Sequence, residues 1–488
     1  MNTTSSAGKP LTARRRRIRR ALAISTVILV AHLIGFATSL HALMATRTAQ
    51  GSVAWMVSLN TLPYVAVPAY WIFGRSKFQG YVSLRSEAIS LLGYSLEGEL
   101  ANLHPYRSNW LDEFNRRLRT IENLARLPST DGNQVELLID GEDTFTSIFA
   151  GIDSAENYLL VQFYIIKHDA QGIEFKRRLI ERANAGVRVY LLFDEIGSLE
   201  LPDSYIRELT DAGVQVRSFN SNRGWTNQFQ LNFRNHRKLL VVDGSSAWMG
   251  GINIGAEYRA DDWRDTHLRI EGPAALQLQL SFLEDWRWAS DDLLEVSWQP
   301  HPVAGSDVSI IILPTGPIDR FETASLLIQQ IAHLANERLW LASPYFVPDQ
   351  GVIAALKLAA LGGVDVRLPL PKVTDNILTT LAAYTFFDSL IEAGVEIYHY
   401  QPGMMHGKFF LFDNRGAAVS SVNLDNRSLR LNFELTALVI DADFTQQVAD
   451  MFEDDFAQSQ ILPANIFADK PFWFRVAARG AHLFAPVL

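Results

Sequence analysis

The chain of 488 residues contains no cysteine. Disulfide bonds, thiolate nucleophiles and cysteine-ligated zinc sites are therefore excluded, although this absence does not indicate a cellular compartment. A strong excess of positive charge is also missing, since 44 basic residues stand against 53 acidic ones. With 48% apolar residues the chain can bury more than one core, and we expect two domains or lobes besides a membrane part.

Two stretches near the N-terminus lack charged residues altogether. Residues 21–43 and 51–73 each run for 23 positions without Asp, Glu, Lys or Arg. As helices they would be about 35 Å long at about 1.5 Å per residue, enough to cross a hydrocarbon core of about 30 Å. We therefore predict two transmembrane helices at these positions. A cleaved signal peptide is the alternative for the first stretch, but its length and the second stretch seven residues later argue against it.

Acidic residues are absent from positions 1–20, which carry seven basic residues. Arg75 and Lys77 follow the second apolar stretch, whereas Arg47 is the one charge in the short connection. The positive-inside rule predicts a helical hairpin with a basic cytoplasmic N-terminus at 1–20 and a cytosolic remainder.

Without the first 20 residues, 37 basic residues stand against 53 acidic ones, and this balance of −16 disfavours a nucleic-acid partner.

A motif of four polar residues occurs twice, 170 positions apart. In each copy a His is followed by a Lys two residues later, an Asp five residues after the Lys, and an Asn ten residues after the Asp. The first copy is His236, Lys238, Asp243 and Asn253, and the second is His406, Lys408, Asp413 and Asn423. One copy alone is equally well explained as a strand with ordinary polar residues, but two copies indicate a shared site.

Each copy is predicted to form a β-hairpin. The His and the Lys share one face of an extended strand, an apolar run follows, and a turn signal such as Asp243-Gly244 ends it. The return strand would bring Asn253 or Asn423 back towards the His. The Asp lies about 16 Å beyond the Lys at about 3.3 Å per residue, so we expect it to pin the turn rather than touch substrate.

Two His, two Lys and two Asn that converge on one point suit a phosphodiester. The Lys and Asn side chains would hold phosphate oxygens, one imidazole would attack phosphorus, and the other would protonate the departing alkoxide, with no metal required. One His must then be neutral while the other is charged, so carboxylates should set their pKa values apart. Glu434, 28 residues after His406, and Asp265, 29 residues after His236, are candidates for orienting a ring N–H.

Apolar strands alternate with helical stretches in two halves of the chain. Gly186-Val-Arg-Val and Gly363-Val-Asp-Val, for example, begin corresponding strands. This alternation favours an α/β fold with parallel sheets covered by helices, and its repetition favours two β/α lobes related by a pseudo-two-fold axis. The expected parts of the body are a connector at 74–130, a first lobe at 131–300, a second lobe at 301–465 and a C-terminal tail at 466–488.

Two segments have two interpretations each. An extra loop of the first half, at 220–232, would contact lipid or acceptor beside the site, or is a plain surface excursion. The C-terminal tail, apolar and aromatic from Pro471 onwards, would lie in the membrane interface or pack on the body as a helix.

The paired motif resembles the HKD signature of the phospholipase D superfamily. Further stretches are similar to bacterial cardiolipin synthases, and together they extend over nearly the whole chain. They are Trp71-Ile-Phe-Gly-Arg75, Asn235-His-Arg-Lys238, Gly250-Gly-Ile-Asn253, Pro344-Tyr-Phe-Val-Pro348 and Asn423-Leu-Asp-Asn-Arg-Ser428. One departure is Ser420-Ser421, where the family usually has Gly-Ser.

The resemblance implies an enzyme that transfers a phosphatidyl group from one phosphatidylglycerol to another through a phospho-histidine and releases glycerol. It implies no cofactor, membrane lipids as partners, and a multi-pass place in the bacterial cytoplasmic (inner) membrane with the catalytic domain on the cytoplasmic side. The catalytic motif that it implies is His236, Lys238, Asp243, His406, Lys408 and Asp413.

The roles of the two histidines come from family analogy alone. His236 is then the nucleophile and His406 the general acid and afterwards the base, an order that the sequence itself does not give. A hydrolytic membrane-bound phospholipase D, with water as the acceptor, is the alternative enzyme. A membrane-anchored scaffold with a dead site is the non-enzymatic alternative, and the two intact motifs count against it.

Overall fold

The structure is a computed structural model that describes residues 10–46, 48–74, 101–109, 113–219, 232–372 and 374–488. Part of the basic N-terminus, most of the predicted extra loop and much of the predicted connector lie outside the described residues; these parts are 1–9, 220–231, 75–100 and 110–112. The chain divides into a small unit, mostly N-terminal, and a large unit that carries the repeated motif.

The N-terminal unit contains the helices α1 (Pro10–Ala45), α2 (Ala49–Thr61) and α3 (Pro63–Phe73). α1 packs against both α2 and α3. The backbones of α1 and α2 come close together at Gly35, where a Cβ atom would lie 2.2 Å from the carbonyl oxygen of Leu59. The Nδ1 atom of His41 lies 2.8 Å from the Tyr70 hydroxyl. A glycine contact and a polar pair therefore hold these helices together.

The predicted second span is not one continuous helix. The chain leaves helical geometry at Leu62, with φ −133° and ψ 56°, because Pro63 has no N–H with which to continue the hydrogen bonding of α2. Within the described residues, the segment Arg15–Ala45 is long and apolar enough to cross a membrane. The prediction of a single helix at 51–73 is therefore corrected to two shorter helices.

The large unit is an α/β body. Its helices are α4 (Glu113–Ala125), α5 (Asp140–Ser154), α6 (Ala170–Asn184), α7 (Asp203–Asp211), α8 (Ala274–Ser290), α9 (Thr323–Leu334), α10 (Gln350–Leu361), α11 (Ile377–Ile391), α12 (Asn426–Arg430), α13 (Ala442–Ala457) and α14 (Phe472–His482). Short 3₁₀ helices lie at His104–Tyr106, Ala256–Arg259 and Ala485–Val487.

The strands of the first half are β1 (Thr130–Ile139), β2 (Tyr158–Phe163), β3 (Arg188–Asp194), β4 (Gln215–Phe219), β5 (Arg234–Asn235), β6 (Leu239–Val242), β7 (Ser246–Gly250), β8 (Trp263–Arg264) and β9 (Thr266–Glu271). Those of the second half are β10 (Val308–Thr315), β11 (Arg338–Ala342), β12 (Phe346–Val347), β13 (Asp365–Pro371), β14 (Glu396–Tyr400), β15 (Met404–Met405), β16 (Phe409–Phe412), β17 (Gly416–Ser420), β18 (Leu424–Asp425), β19 (Asn432–Ile440) and β20 (Ser459–Ile461).

The longer strands form one mixed sheet, in the order β20-β14-β13-β11-β16-β17-β19-β10-β1-β9-β7-β6-β2-β3-β4. β1 and β10 pair antiparallel in the middle. Outward from each of them come four antiparallel pairs and then two parallel pairs. At one end of the sheet the edge strand β20 then pairs antiparallel with β14. The prediction of parallel sheets therefore holds for β2, β3 and β4 and for β11, β13 and β14, because the motif hairpins insert antiparallel strands beside them.

Two hydrophobic cores lie against this sheet. The first-half core includes Phe145 of α5 and Leu159 of β2. The second-half core includes Ile328 of α9 and Leu339 of β11, and it also takes in Leu118 of α4. Each core packs on the strands that flank one motif hairpin, so packing fixes both His-bearing segments.

The C-terminal tail forms α14, which packs on α11. Ala478 and Ala481 are buried, whereas Phe472 and Trp473 are 61% and 77% exposed. The tail therefore packs on the body through one face and presents apolar side chains on the other.

Candidate active site

Each copy of the repeated motif forms a hairpin of the sheet. Leu239 of β6 is opposite Met249 of β7, and Phe409 of β16 is opposite Val419 of β17. The His and the Lys lie in the short segment that leads into β6 or β16. Because the paired strand residues are buried, the segments before them have little freedom.

The Asp of each motif begins the hairpin turn, where Asp243 and Asp413 both have φ 51°. The Asp243 carboxylate accepts hydrogen bonds of 2.7 to 2.8 Å from the backbone N–H groups of residues 156–158. The Asp413 carboxylate accepts bonds of 2.8 to 3.2 Å from those of residues 336–338. Each Asp therefore ties its turn to the start of the neighbouring strand, β2 or β11.

Replacement of Asp413 with Asn should mainly lower stability. An amide accepts fewer of these bonds and carries no charge, so we expect the free energy of unfolding to fall by about 2–3 kcal/mol. Thermal melts and activity of the folded fraction measure the two effects separately. Asp211→Asn, at an exposed position, is the control. A variant with an unchanged melting temperature and no activity would instead place Asp413 in the chemistry.

His236 is buried beside the carboxylate of Glu434. Its Nδ1 atom lies 2.9 Å from Oε2 of Glu434 and 3.1 Å from the carbonyl oxygen of Ser421. The Ser421 hydroxyl donates to the same carboxylate. Since Nδ1 faces these acceptors, Nε2 is the ring nitrogen available for chemistry.

His406 has the corresponding arrangement with Asp265. Its Nδ1 atom lies 2.6 Å from Oδ2 of Asp265. The other oxygen of that carboxylate accepts a bond of 2.8 Å from the backbone N–H of Thr266. Both imidazoles are therefore oriented by a buried carboxylate through Nδ1.

The two His–carboxylate pairs cross between the halves of the chain. Sequence spacing associates Glu434 with His406 and Asp265 with His236, whereas the structure pairs each carboxylate with the other histidine. Short parallel strand pairs, β5 with β19 and β8 with β15, cause this exchange. Each brings the His-bearing segment of one half against the carboxylate-bearing segment of the other, so both histidines belong to one site.

Burial lowers the pKa of both histidines. For His236, burial outweighs the opposing charge of Glu434. For His406, burial followed by the charge of Lys408 lowers the pKa to about 4 despite Asp265. Burial therefore acts in the same direction on both rings, and each ring has its own carboxylate, so the separation of the two pKa values stays a prediction.

The two lysines are buried in the same site. Lys238 Nζ donates to the carbonyl oxygen of His236 at 2.6 Å. Lys408 Nζ lies 3.0 and 3.3 Å from the two ring nitrogens of His406. Burial lowers the pKa of Lys238, and the charge of Lys408 lowers it further, because the two ammonium groups are close together.

The two asparagines have different surroundings. Asn253 Nδ2 donates to the Tyr258 hydroxyl at 2.6 Å, and its Oδ1 accepts from the backbone N–H of Ile165 at 3.1 Å. The Asn423 side chain bonds to the carboxylate of Asp425. Within the described part of the chain, Oδ1 of Asn423 is buried without a hydrogen-bond partner. Each NH₂ group has a second hydrogen for a phosphate oxygen.

A family model described as cardiolipin synthase, PLD-like domain, matches residues 148–286 and 327–456. The chain belongs to the cardiolipin synthase family. It is 42% identical over 470 residues to cardiolipin synthase A of Pseudomonas entomophila (strain L48), which covers 94% of this chain and 97% of that relative. It is 41% identical over 466 residues to cardiolipin synthase A of Pseudomonas syringae pv. syringae (strain B728a), with the same two coverages.

A solved structure supports the fold assignment. The phosphatidylserine synthase of Haemophilus influenzae Rd KW20 superposes with a TM-score of 0.58 and 15% sequence identity, over 76% of this chain and 100% of that one. At this identity the likeness concerns the phospholipase D-like α/β fold alone. Each of the two segments that the cardiolipin synthase family model matches contains one complete copy of the repeated motif.

Sequence reasoning missed an aromatic wall around the histidines of this cardiolipin synthase family member. The ring centroid of Tyr164 lies 4.9 Å from that of His236. The centroids of Trp263 and Tyr258 lie 5.0 and 6.2 Å from that of His406. Only Trp263 had a signal in the sequence, since it precedes Arg264-Asp265 directly. The packing of these rings contributes to the burial of both imidazoles.

A buried ion pair behind the first motif was also missed. Arg237 Nη1 lies 2.8 Å from Oδ2 of Asp285. The same carboxylate accepts bonds from the side chains of Asn235 and Gln162. Asp285 lies in α8, remote from the motif in sequence, so no spacing rule could find it.

In the described residues of this cardiolipin synthase family member, no group of three or more His, Asp and Glu side chains is arranged to hold a metal ion.

Proposed function

We propose that this chain is a phosphatidyltransferase that makes cardiolipin and glycerol from two molecules of phosphatidylglycerol through a phospho-histidine. The observation that carries the proposal is the pair of buried histidines in one site, each held through Nδ1 by a carboxylate of the other half. The identity to cardiolipin synthase A over 94% of the chain supports the choice of substrates.

In the first half-reaction, Nε2 of His236 attacks the phosphorus of one phosphatidylglycerol. The bond between phosphorus and the glycerol oxygen breaks, and His406 gives that oxygen a proton. Glycerol leaves, and the phosphatidyl group remains on His236. The choice of His236 as nucleophile follows the family analogy.

In the second half-reaction, another phosphatidylglycerol supplies the attacking group. Its terminal hydroxyl gives a proton to His406 and attacks the phosphorus, the bond to Nε2 of His236 breaks, and cardiolipin leaves. The same histidine therefore acts first as acid and then as base, as microscopic reversibility requires.

The charges of the site suit this sequence of steps. When both lysines are charged, they balance the carboxylates of Asp265 and Glu434, so a phosphodiester adds one uncompensated negative charge. That charge raises the pKa of a nearby imidazole and favours protonation of His406 when substrate binds. Lys238, Lys408, Asn253 and Asn423 are proposed to hold the phosphate oxygens.

We also propose that the body consists of two lobes, 131–300 and 301–465, related by a pseudo-two-fold axis between β1 and β10. The same succession of strand pairs on both sides of that boundary supports this arrangement, as do the two separate cores. The connector at 74–130 and the tail at 466–488 complete the proposed domain plan.

For membrane attachment we propose a hairpin in which α1 is one arm and α2 with α3 is the other. The apolar length of α1, its packing against both shorter helices and the basic residues outside both arms support this topology. The chain would then be an integral protein of the bacterial cytoplasmic membrane with its catalytic body on the cytoplasmic side.

Incubation of the purified full chain with phosphatidylglycerol liposomes, without nucleotide, tests the proposed activity. We expect cardiolipin and free glycerol in equal amounts, and neither product from the His236→Ala variant. Phosphatidic acid with free glycerol would make water the acceptor and the protein a hydrolytic phospholipase D. Absence of any product from phosphatidylglycerol and from other donor lipids would favour the scaffold.

A further inference from the structure

The two motif asparagines differ in the hydrogen bonding of their amide oxygens. Oδ1 of Asn253 accepts a bond of 3.1 Å from the backbone N–H of Ile165. Oδ1 of Asn423 is buried, and no group in the described residues donates to it. The Asn423 side chain is only 5% exposed. A buried acceptor that the protein leaves unpaired is costly, so we expect a ligand to supply its donor.

The N–H that is missing at Asn423 belongs to Tyr345. Leu339 of β11 corresponds to Leu159 of β2, because each is opposite the last residue of its motif strand, β16 or β6. Six residues further along both chains, Tyr345 therefore corresponds to Ile165. In the second half this backbone N–H does not reach the amide oxygen.

The hydroxyl group of Ser343 accounts for the difference between the halves. In the first half the N–H of Ile254 donates directly to the carbonyl oxygen of Ile165 at 3.1 Å. In the second half the N–H of Leu424 donates to Oγ of Ser343 at 2.9 Å, and that hydroxyl donates to the carbonyl oxygen of Tyr345 at 2.7 Å. A hydroxyl group is thus inserted where the first half has a direct backbone bond, and it keeps the two segments apart.

Asn423 lies close to the proposed nucleophile. The carbonyl oxygen of Ser421 is 3.1 Å from Nδ1 of His236. Two residues of chain span at most about 7 Å, so Asn423 is near the same imidazole. Its NH₂ group faces the Asp425 carboxylate, which would repel Oδ1, and this fixes the direction of the amide.

A phosphatidylglycerol headgroup carries a donor that suits this oxygen. A primary amide offers an N–H donor and an oxygen acceptor side by side, which matches a phosphate oxygen with a hydroxyl group near it. The secondary hydroxyl of the headgroup lies on the carbon next to the one that bears the phosphoester oxygen. We propose that Oδ1 of Asn423 accepts a hydrogen bond from this secondary hydroxyl, an inference that rests on the proposed phosphatidyl transfer.

One acceptor atom would then serve both half-reactions. The glycerol that leaves and the phosphatidylglycerol that attacks both react through a terminal oxygen of the same three-carbon unit. In both, the secondary hydroxyl therefore has the same spacing from the reacting oxygen. Water has no second hydroxyl and is not held in this way, so Asn423 favours glycerol headgroups as leaving groups and as acceptors.

Competition between two lipids in the full chain tests the proposal. The liposomes contain equal amounts of phosphatidylglycerol and phosphatidyl-1,3-propanediol, which has the terminal hydroxyl but lacks the secondary one. The ratio of released glycerol to released 1,3-propanediol measures selectivity and does not depend on the folded fraction. We expect the wild-type chain to release glycerol about 10- to 100-fold faster. For Asn423→Ala the ratio should fall to within about twofold of one, because the hydrogen bond is gone.

Asn253→Ala is the matched control. The amide oxygen of Asn253 is already taken by Ile165, so this variant should lose a phosphate contact and release both alcohols more slowly, at the wild-type ratio. If Asn423→Ala does not fold, Asn423→Ser keeps a polar side chain that ends one bond short of Oδ1. Its ratio should fall in the same way.

A wild-type ratio near one, or a wild-type ratio retained in Asn423→Ala, would overturn the hydroxyl site and leave the transferase intact. An equal loss of selectivity in Asn253→Ala would overturn it as well, because the selectivity would not come from Oδ1 of Asn423. Formation of phosphatidic acid in place of cardiolipin would overturn the proposed transfer itself. In that case the ratio of released alcohols would still test the hydroxyl site on the leaving group.

Discussion

Replacement of His236 or His406 with Ala should abolish cardiolipin formation, although the two variants should fail at different points. Without His236 there is no nucleophile, so no phosphatidyl-enzyme forms at all. Without His406 the nucleophile remains, but the glycerol oxygen must leave without a proton, which slows turnover by about 10²- to 10⁴-fold. His168→Ala, at an exposed position outside the motifs, should retain full activity.

A substrate with an activated leaving group separates the two roles. A phosphatidyl ester of p-nitrophenol releases a stable anion that needs no proton, so it should restore the first step in His406→Ala and not in His236→Ala. Release of p-nitrophenolate and trapping of the acid-labile phosphatidyl-enzyme measure this step directly. The opposite pattern would reverse the assignment of nucleophile and acid. Substantial cardiolipin synthesis by either Ala variant would contradict the shared site.

Glu434→Gln and Asp265→Asn should reproduce these two defects in crossed order. Glu434 holds His236, so its loss should slow formation of the phosphatidyl-enzyme with either substrate. Asp265 holds His406, so the Asp265→Asn variant should react slowly with phosphatidylglycerol. With the p-nitrophenyl ester, whose leaving group needs no proton, the same variant should form the phosphatidyl-enzyme at close to the normal rate. We expect each loss to be about 10²- to 10⁴-fold, the range for an acid–base group or the carboxylate that orients it.

The crossed pattern distinguishes orientation from general damage. A variant that is merely less stable would lose activity on both substrates in proportion to its folded fraction, which thermal melts measure. If the activated ester restored the first step in Glu434→Gln and not in Asp265→Asn, each carboxylate would act on the histidine of its own half. That result would contradict the pairing of histidines and carboxylates that β5 and β8 produce.

Local sequence was sufficient for the elements whose signals lie close together in the chain. The strict spacing from His236 to Asn253, repeated from His406 to Asn423, predicts two hairpins, and the structure contains both. The apolar segment at 21–43 lies within α1. At 51–73 the apolar composition correctly indicated helix. It did not indicate the break at Pro63, whose missing N–H ends α2 early.

The sequence by itself determined which residues are candidates for the chemistry, since two histidines, two lysines and two carboxylates in a repeated pattern have few other uses. Only the tertiary structure decided which carboxylate serves which histidine, because two short parallel strand pairs join segments that are far apart in the chain. It also decided the direction of the pKa shifts, which depends on burial that no spacing reports.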